Sequence, residues 1–370
     1  MAHEAPPPRQ KRGTRSGYTT GACATAATKA ALHALLTGER LDCVSIHLPA
    51  GMDATFFPGE WQEQNGEVSC GIIKDAGDDP DVTHGAVIRV AVCRHEQPGV
   101  IFAAGEGVGT VTKPGLGLDI GGPAINAMPR QMMTDVVTDI LGSELSTQGV
   151  KVTVSIPDGE RLAKKTLNGR LGIVGGLSIL GTTGIVHAYS TAAWRASVVQ
   201  AVDVAAAGGC QEIVLSTGGT TERFAMGVRQ DLSELAFVEM GIFTGDALKT
   251  CVKAGVKRVT LSGQIGKFSK IAQGFMQTHA AGNRVDTEFL ANLAAKFGVN
   301  PSLREAIRTA NTGRHVGELV LAEGAISYLE GLCQEAVEQC RLHVQGQLEI
   351  GAFLFDFDGT LLVNLPPWGE

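Results

Sequence analysis

The sequence predicts an α+β domain followed by an α/β domain with a doubly wound, Rossmann-like parallel sheet. Three observations carry this reading. The chain has 370 residues, which at roughly 150 residues per domain suggests two. Its first half holds short β-like runs separated by Gly, Pro and Asp clusters, the usual punctuation of strand turns. Beyond about residue 192, strand and helix patterns alternate, as parallel βαβ units require. The expected division is a disordered basic arm over 1–16, an α+β domain with acidic and glycine-rich loops over 17–191, and the α/β domain over 192–370.

In chain order, the run ACATAATKAALHALLTG is rich in Ala, Leu and Lys and stops at Gly38, predicting a helix over 22–36. Strands are expected over 43–48, 67–74, 86–92 and 100–104. A helix over 128–141 begins beside Pro129, a favoured first-turn residue. Alternation over 150–156 predicts another strand, ended by Pro157. In the second half, helices are expected over 194–207, 245–254 and 265–278, with strands over 212–216, 235–240 and 258–262. Helices over 286–297, 301–309 and 316–340 precede a last strand over 348–355.

Composition narrows the function. The net charge is −7 and aromatic residues make up 5%, which argues against nucleic acid as a partner. Eight cysteines lie scattered with no Cys-x-x-Cys, so zinc and dithiol sites are not expected. The polar, proline-rich start has no apolar signal core, and the expected setting is cytoplasmic. The uncharged stretch 171–194 contains five glycines and His187, which suits buried strands and loops rather than a membrane span. Glycine is abundant, 48 residues or about 13% against a usual ~7%. That abundance suggests backbone brought close to a ligand or held at positive φ.

Four segments carry candidate chemistry. Asp75, Asp78, Asp79, Asp81 and His84 fall within ten residues between two strands. The spacing is not that of a calcium loop. A solvated turn, a proton-transfer loop and a metal site all remain open for it. Gly105, Gly107 and Gly109 form a G-x-G-x-G after a strand, opening a long loop of the kind that is often functional. Thr217, Gly218, Gly219, Thr220 and Glu222 follow a strand and lead into a helix. Their backbone N–H groups suit a carboxylate or other anion, and a plain helix cap is the competing reading. FDFDGTL at 355–361 copies an aspartyl phosphatase signature, but little chain follows it, so a terminal strand and turn is expected.

SGYTTGACATAATKAAL, KDAGDDPDVTHG, GEGVGTVTKPGL with GGPAIN, TLNGRLGIVGGLSILGTTGIV and LSTGGTTE occur in this order. Together they resemble the cobalt-precorrin-5B C1-methyltransferase family of anaerobic cobalamin biosynthesis, over almost the whole chain. Gly169 stands where that family has proline, and AYS at 188–190 where it tends to have Pro-Met-Ser. The resemblance implies S-adenosylmethionine as methyl donor and C-1 of a cobalt corrinoid as acceptor. Cobalt then belongs to the substrate and no protein metal site is expected. A macrocycle bearing many carboxylates calls for cations such as Lys113, Arg130 and Arg170, with Lys164 and Lys165 nearby. Thr19, Thr20, Thr182 and Thr183, from the first and fourth motifs, complete the expected substrate set. The donor is expected at Thr217–Gly218–Gly219–Thr220 with Glu222, and the rival position is Gly105–Gly109. No membrane partner is expected, and a homo-oligomer stays open. The competing function is a corrinoid carrier without catalysis.

Overall fold

The computed structural model describes residues 15–278 and 285–366. The chain divides into two compact units, Met1–Thr191 and Ala192–Glu370. Of the expected arm, residues 1–14 lie outside the described residues. Arg15 and Ser16 correct its boundary, because Ser16 bridges to Gly77 and the Arg15 amide donates to Asp78 Oδ2 at 2.9 Å.

In the first unit, β1 (Gly17–Tyr18) leads into helix α1 (Thr20–Thr37). Thr19 caps that helix, its hydroxyl accepting from Ala22 N at 3.1 Å. Gly38, at φ 77°, ends it, as glycine does where a left-handed residue is needed. Hairpin β2 (Val44–Leu48) and β3 (Met52–Phe56) follows. Next come β4 (Gly59–Gln64), β5 (Glu67–Ile73), β6 (Val87–His95), β7 (Val100–Ala104) and the short β8 (Thr110–Val111). Helix α2 (Ala127–Leu141), β9 (Gly149–Ser155), α3 (Gly159–Ala163), β10 (Ile173–Val174) and β11 (Ile185–Val186) complete the unit.

Its main sheet has the order β4-β5-β6-β9-β7. The pairings are antiparallel except β7 with β9. The inward residues Cys70, Val90, Val152 and Val154 pack against the alanines of α1, including Ala22, Ala26, Ala27 and Ala30. A helix that is small and apolar almost all round is a buried helix, and alanine lets it sit close to the sheet. The loop over 105–126 is not free-standing. β8 pairs with β10, and Val108 and Ile125 bridge to Leu177 and Ile179.

In the second unit, α4 (Thr191–Ala207) precedes β12 (Glu212–Ser216), α5 (Gly219–Val228), β13 (Phe237–Glu239), α6 (Thr244–Lys253), β14 (Arg258–Gln264) and α7 (Ile265–Ala272). Then come α8 (Thr287–Lys296), α9 (Pro301–Arg308), α10 (Gly313–Ala322), α11 (Ile326–His343), β15 (Glu349–Phe355) and β16 (Leu361–Leu365). The sheet order is β13-β12-β14-β15-β16. It is parallel up to β15, and β16 is antiparallel. Ile213 and Leu215 face one core with α6, α7 and α11, while Val214 faces Phe224 and Ala225 of α5. The chain steps outward from β12 to β13 and returns to β14 on the far side, so the direction of winding reverses at β12.

Several elements differ from the sequence reading, three of them in kind or extent. The expected helix over 316–340 is two helices, broken where Gly324 takes φ 65°. The helix after β14 stops at Ala272, and Gly274 at φ 84° turns the chain. The strand expected over 235–240 begins as a 3-10 turn, Glu234–Ala236. Among the described residues, no helix is long and apolar enough to cross a membrane.

Candidate functional site

Three segments far apart in sequence meet in the first unit. β1 pairs with β11, and Thr19 N donates to Gly184 O at 3.0 Å. The Thr20 hydroxyl accepts from Leu180 N at 2.9 Å. Tyr18 N donates to Asp75 O at 2.7 Å. Backbone crosses backbone so closely at Gly17 and Gly77 that a Cβ on either would strike the other segment. Residues 15–21, 74–85 and 180–190 therefore form one cluster at the start of α1. Thr182 and Thr183 lie on its rim, and Thr183 O accepts from Ala50 N at 3.1 Å.

Every aspartate of the acidic loop is engaged. Asp75 pairs with the Arg15 guanidinium and accepts from Gly77 N at 2.9 Å. The Arg15 hydrogen bond, then the Gly77 N–H, hold its carboxyl below the ordinary value. Asp78 accepts from Arg15 N, and Asp79 Oδ1 from Tyr189 N at 3.0 Å. Asp81 holds the buried Lys74 ammonium at 2.7 Å and accepts from Thr83 N and Oγ1 at 2.7 and 2.6 Å. Burial pushes the Asp81 carboxyl up, but Lys74 and Thr83 together bring it below its ordinary value. His84 is half-exposed, and its Nδ1 accepts from Ala76 N at 3.1 Å. The neutral ring therefore carries its proton on Nε2 and presents a donor. Among the described residues, no group of three or more His, Cys, Asp or Glu is arranged to hold a metal ion.

The two glycine-rich turns differ in what surrounds them. A Cβ on Gly105 would strike Ser155, on Gly107 the Ile156 carbonyl, and on Gly109 the side chain of Ile173. Gly107 also takes φ 69°. These three glycines are accounted for by the protein's own chain. Arg130 donates to the carbonyls of Ile125 (2.8 Å) and Pro123 (3.1 Å) and lies over the Phe102 ring. Lys113 Nζ reaches the Arg170 carbonyl at 3.4 Å. In the second unit, Gly218 is the N-cap of α5 at the carboxyl end of β12, and a Cβ there would meet nothing within 4 Å. Its φ of 175° is ordinary extended backbone. Thr217 N donates to Ser262 O at 2.9 Å. Thr220 is exposed, and Glu222 is buried in the first turn of α5.

Asp356, in the phosphatase-like motif, caps the turn between β15 and β16. Its Oδ1 accepts from Asp358 N at 2.9 Å and Thr360 N at 2.8 Å. Two site features escape the sequence reading. Arg15 falls within the expected arm, and Lys74 at the end of an expected strand. A lysine closing an apolar strand, seven residues before an aspartate, is the signal available for the second.

A model of the CbiD family matches residues 7–188, and one of the CbiD C-terminal domain matches residues 277–365. The chain is 47% identical to a cobalt-precorrin-5B C(1)-methyltransferase of Geobacillus sp. (strain WCH70), covering 95% of this chain and 96% of that protein. It is 48% identical to the protein of that name from Thermus thermophilus, over 99% and 98%, and 45% identical to that from Priestia megaterium, over 96% and 97%. A crystal structure titled cobalamin biosynthesis protein (cbiD), from Archaeoglobus fulgidus, matches at 26% identity over 84% of each chain, with a TM-score of 0.37. Family models over both units and near-full-length relatives agree: the chain belongs to the CbiD family.

Proposed function

We propose that this protein methylates C-1 of cobalt-precorrin-5B, giving cobalt-precorrin-6A, with S-adenosylmethionine as donor, in the cytoplasm. The observation that carries the reading is 47% identity across 95% of this chain and 96% of a relative bearing that name. The second unit is read as a doubly wound, Rossmann-like domain that binds the donor at Thr217–Thr220. Gly218 is open to approach there, at the start of a helix, and backbone N–H groups at such a start favour a carboxylate.

Bound S-adenosylmethionine supplies a methyl group that is already activated, so placement is the protein's main task. Effective molarities of ~10⁵–10⁸ M show how much alignment alone can give. The acceptor is assigned to the first unit, around Thr19, Thr20, Thr182, Thr183, Lys113, Arg130 and Arg170. Within the acidic loop the roles divide. Asp75 and Asp81, held below their ordinary values by neighbouring donors and cations, stay ionised and order the loop. Asp78 and Asp79 each accept a hydrogen bond from a backbone N–H, and their remaining lone pairs are assigned the part of proton acceptor. His84 Nε2–H is the donor toward a macrocycle carboxylate. Cobalt enters and leaves with the substrate.

The test is incubation of the protein with methyl-labelled S-adenosylmethionine and cobalt-precorrin-5B, followed by mass analysis. The expected result is one labelled methyl group on the product and S-adenosylhomocysteine in equal amount. An unchanged macrocycle would overturn the reading.

A further inference from the structure

Three features converge at the carboxyl end of β12. The first is the open Cα of Gly218. The second is Ser216, the last residue of β12, fully buried with a hydroxyl that has no hydrogen-bond partner among the described residues. Buried hydroxyls are normally satisfied, so an orphan calls for an explanation. The third is Glu239, the exposed last residue of β13, in direct parallel register with Ser216. Met240 N and Gly241 N both donate to Ser216 O, at 2.8 and 3.2 Å, which ties the two strand ends together.

These groups share a face of the sheet. Side chains alternate along a strand, so Ser216 points to the same side as Val214. Val214 packs against Ala225 and Phe224 of α5. In-register neighbours point to the same side, so Glu239 does too. Its carboxylate stands at the start of α5, for a Cβ built on Gly219 would lie 3.3 Å from Glu239 Oε2. Glu239 follows Gly219 by twenty residues. In doubly wound sheets, a carboxylate about that far beyond the glycine turn, at the end of the adjacent strand, receives ribose hydroxyls. A vicinal diol offers two O–H donors and a carboxylate two acceptor oxygens.

We propose that Glu239 binds the ribose hydroxyls of the methyl donor, with Ser216 supplying a further hydrogen bond from beneath the turn. This rests on the reading of S-adenosylmethionine as donor. It moves the ribose contact from Glu222, buried within α5, to the exposed Glu239.

The test is calorimetric titration of the full chain with S-adenosylhomocysteine and with its 2′,3′-dideoxy analogue. Wild type binds the first more tightly. Glu239→Gln loses about ten- to a hundredfold in affinity for it, the range for a hydrogen bond to a charged group, and binds the analogue as wild type does. Ser216→Ala keeps the melting temperature and loses affinity for both ligands. If Glu239→Gln binds S-adenosylhomocysteine as wild type does, the assignment of Glu239 is overturned while the donor stands. Wild type that binds neither ligand would remove the donor reading itself, and this inference with it. Unchanged affinity in Ser216→Ala removes the hydroxyl from the site.

Discussion

Replacing Asp81 with Asn should unsettle the first unit more than any other change in the acidic loop. Lys74 is only 1% exposed, and Asp81 Oδ2 is the acceptor for its ammonium at 2.7 Å. Removing one partner of a buried pair leaves the other charge uncompensated, at a cost of about 3–5 kcal/mol. Asp81 is about a quarter exposed, and the new amide oxygen can still accept from Thr83, so the lower end, ~3 kcal/mol, is expected. For a unit of about 190 residues this lowers the melting temperature by roughly 6–12 °C. Calorimetry of the full chain measures the shift, and hydrogen exchange should place the loosening in peptides over 15–21, 74–85 and 180–190. Adding Lys74→Met to Asp81→Asn should recover more than half of the loss, because it removes the stranded charge. The pH dependence has a defined sign. The folded-state pKa of Asp81 is below its ordinary value of 3.8, so its contribution is present above that value and disappears as pH falls through the folded-state pKa. Asp81→Asn should therefore show a shallower acid limb than wild type and no difference in slope between about pH 5 and 8. A loss below about 1 kcal/mol, or a double variant no better than the single, would refute the view of Asp81 as the counter-ion.

Gly218→Val should stay folded and lose at least tenfold in S-adenosylhomocysteine affinity by calorimetry, because the added side chain would occupy open space at the helix start. Gly107→Val should instead be destabilised by at least ~3 kcal/mol, from backbone strain and collision with the Ile156 carbonyl; a folded Gly107→Val that alone loses donor binding would return the donor to the first unit. His84→Ala should lose about 1–2 kcal/mol, because the N–H of buried Ala76 loses its acceptor, and should yield little methylated product at a temperature where it stays folded; full turnover would exclude a substrate contact. Asp356→Ala should lose about 1–2 kcal/mol, from two backbone N–H groups left without their acceptor, with methyl transfer intact. Loss of transfer without loss of stability would show that the β15–β16 turn serves the reaction.

Of the strands buried on both faces, β14 runs two residues past its expected end, whereas β12 is legible to the residue. β12 is Glu-Ile-Val-Leu-Ser between Gly, Cys and Thr-Gly-Gly punctuation, and its bounds match the expectation of 212–216. β3 and β4 are not anticipated. β4, Gly-Glu-Trp-Gln-Glu-Gln, is an edge strand exposed along most of its length, so it carries no apolar alternation to read. Long-range pairing is equally invisible. Sequence shows that Asp75 and Asp81 are crowded with charge, but not that Arg15 reaches Asp75 from sixty residues away. A polar side chain advertises a need for a partner without naming one. The missed break at Gly324 has a similar cause, since one glycine inside a helical pattern is a tolerated residue as often as a stop.

The abundance of glycine shows most clearly where sequence reasoning runs out. It suggests backbone opened to ligands, and for the best-matched motifs the reason is different. Gly17 lies against Gly77, and Gly107 against both Gly159 and Gly176. At each crossing two main chains pass closer than any side chain allows, so glycine on both strands is what lets the segments touch. Such glycines are as costly to replace as ligand-facing ones and look identical in a sequence. What separates them is the space beside the Cα and the sign of φ. Gly218 has open space and an extended backbone, so neither packing nor strain demands glycine there. It stands at the carboxyl end of β12, where the winding of the sheet reverses and where open α/β sheets bind their ligands. A glycine that neither packing nor φ requires, at the position proposed for the donor, has the small size that such a ligand would use.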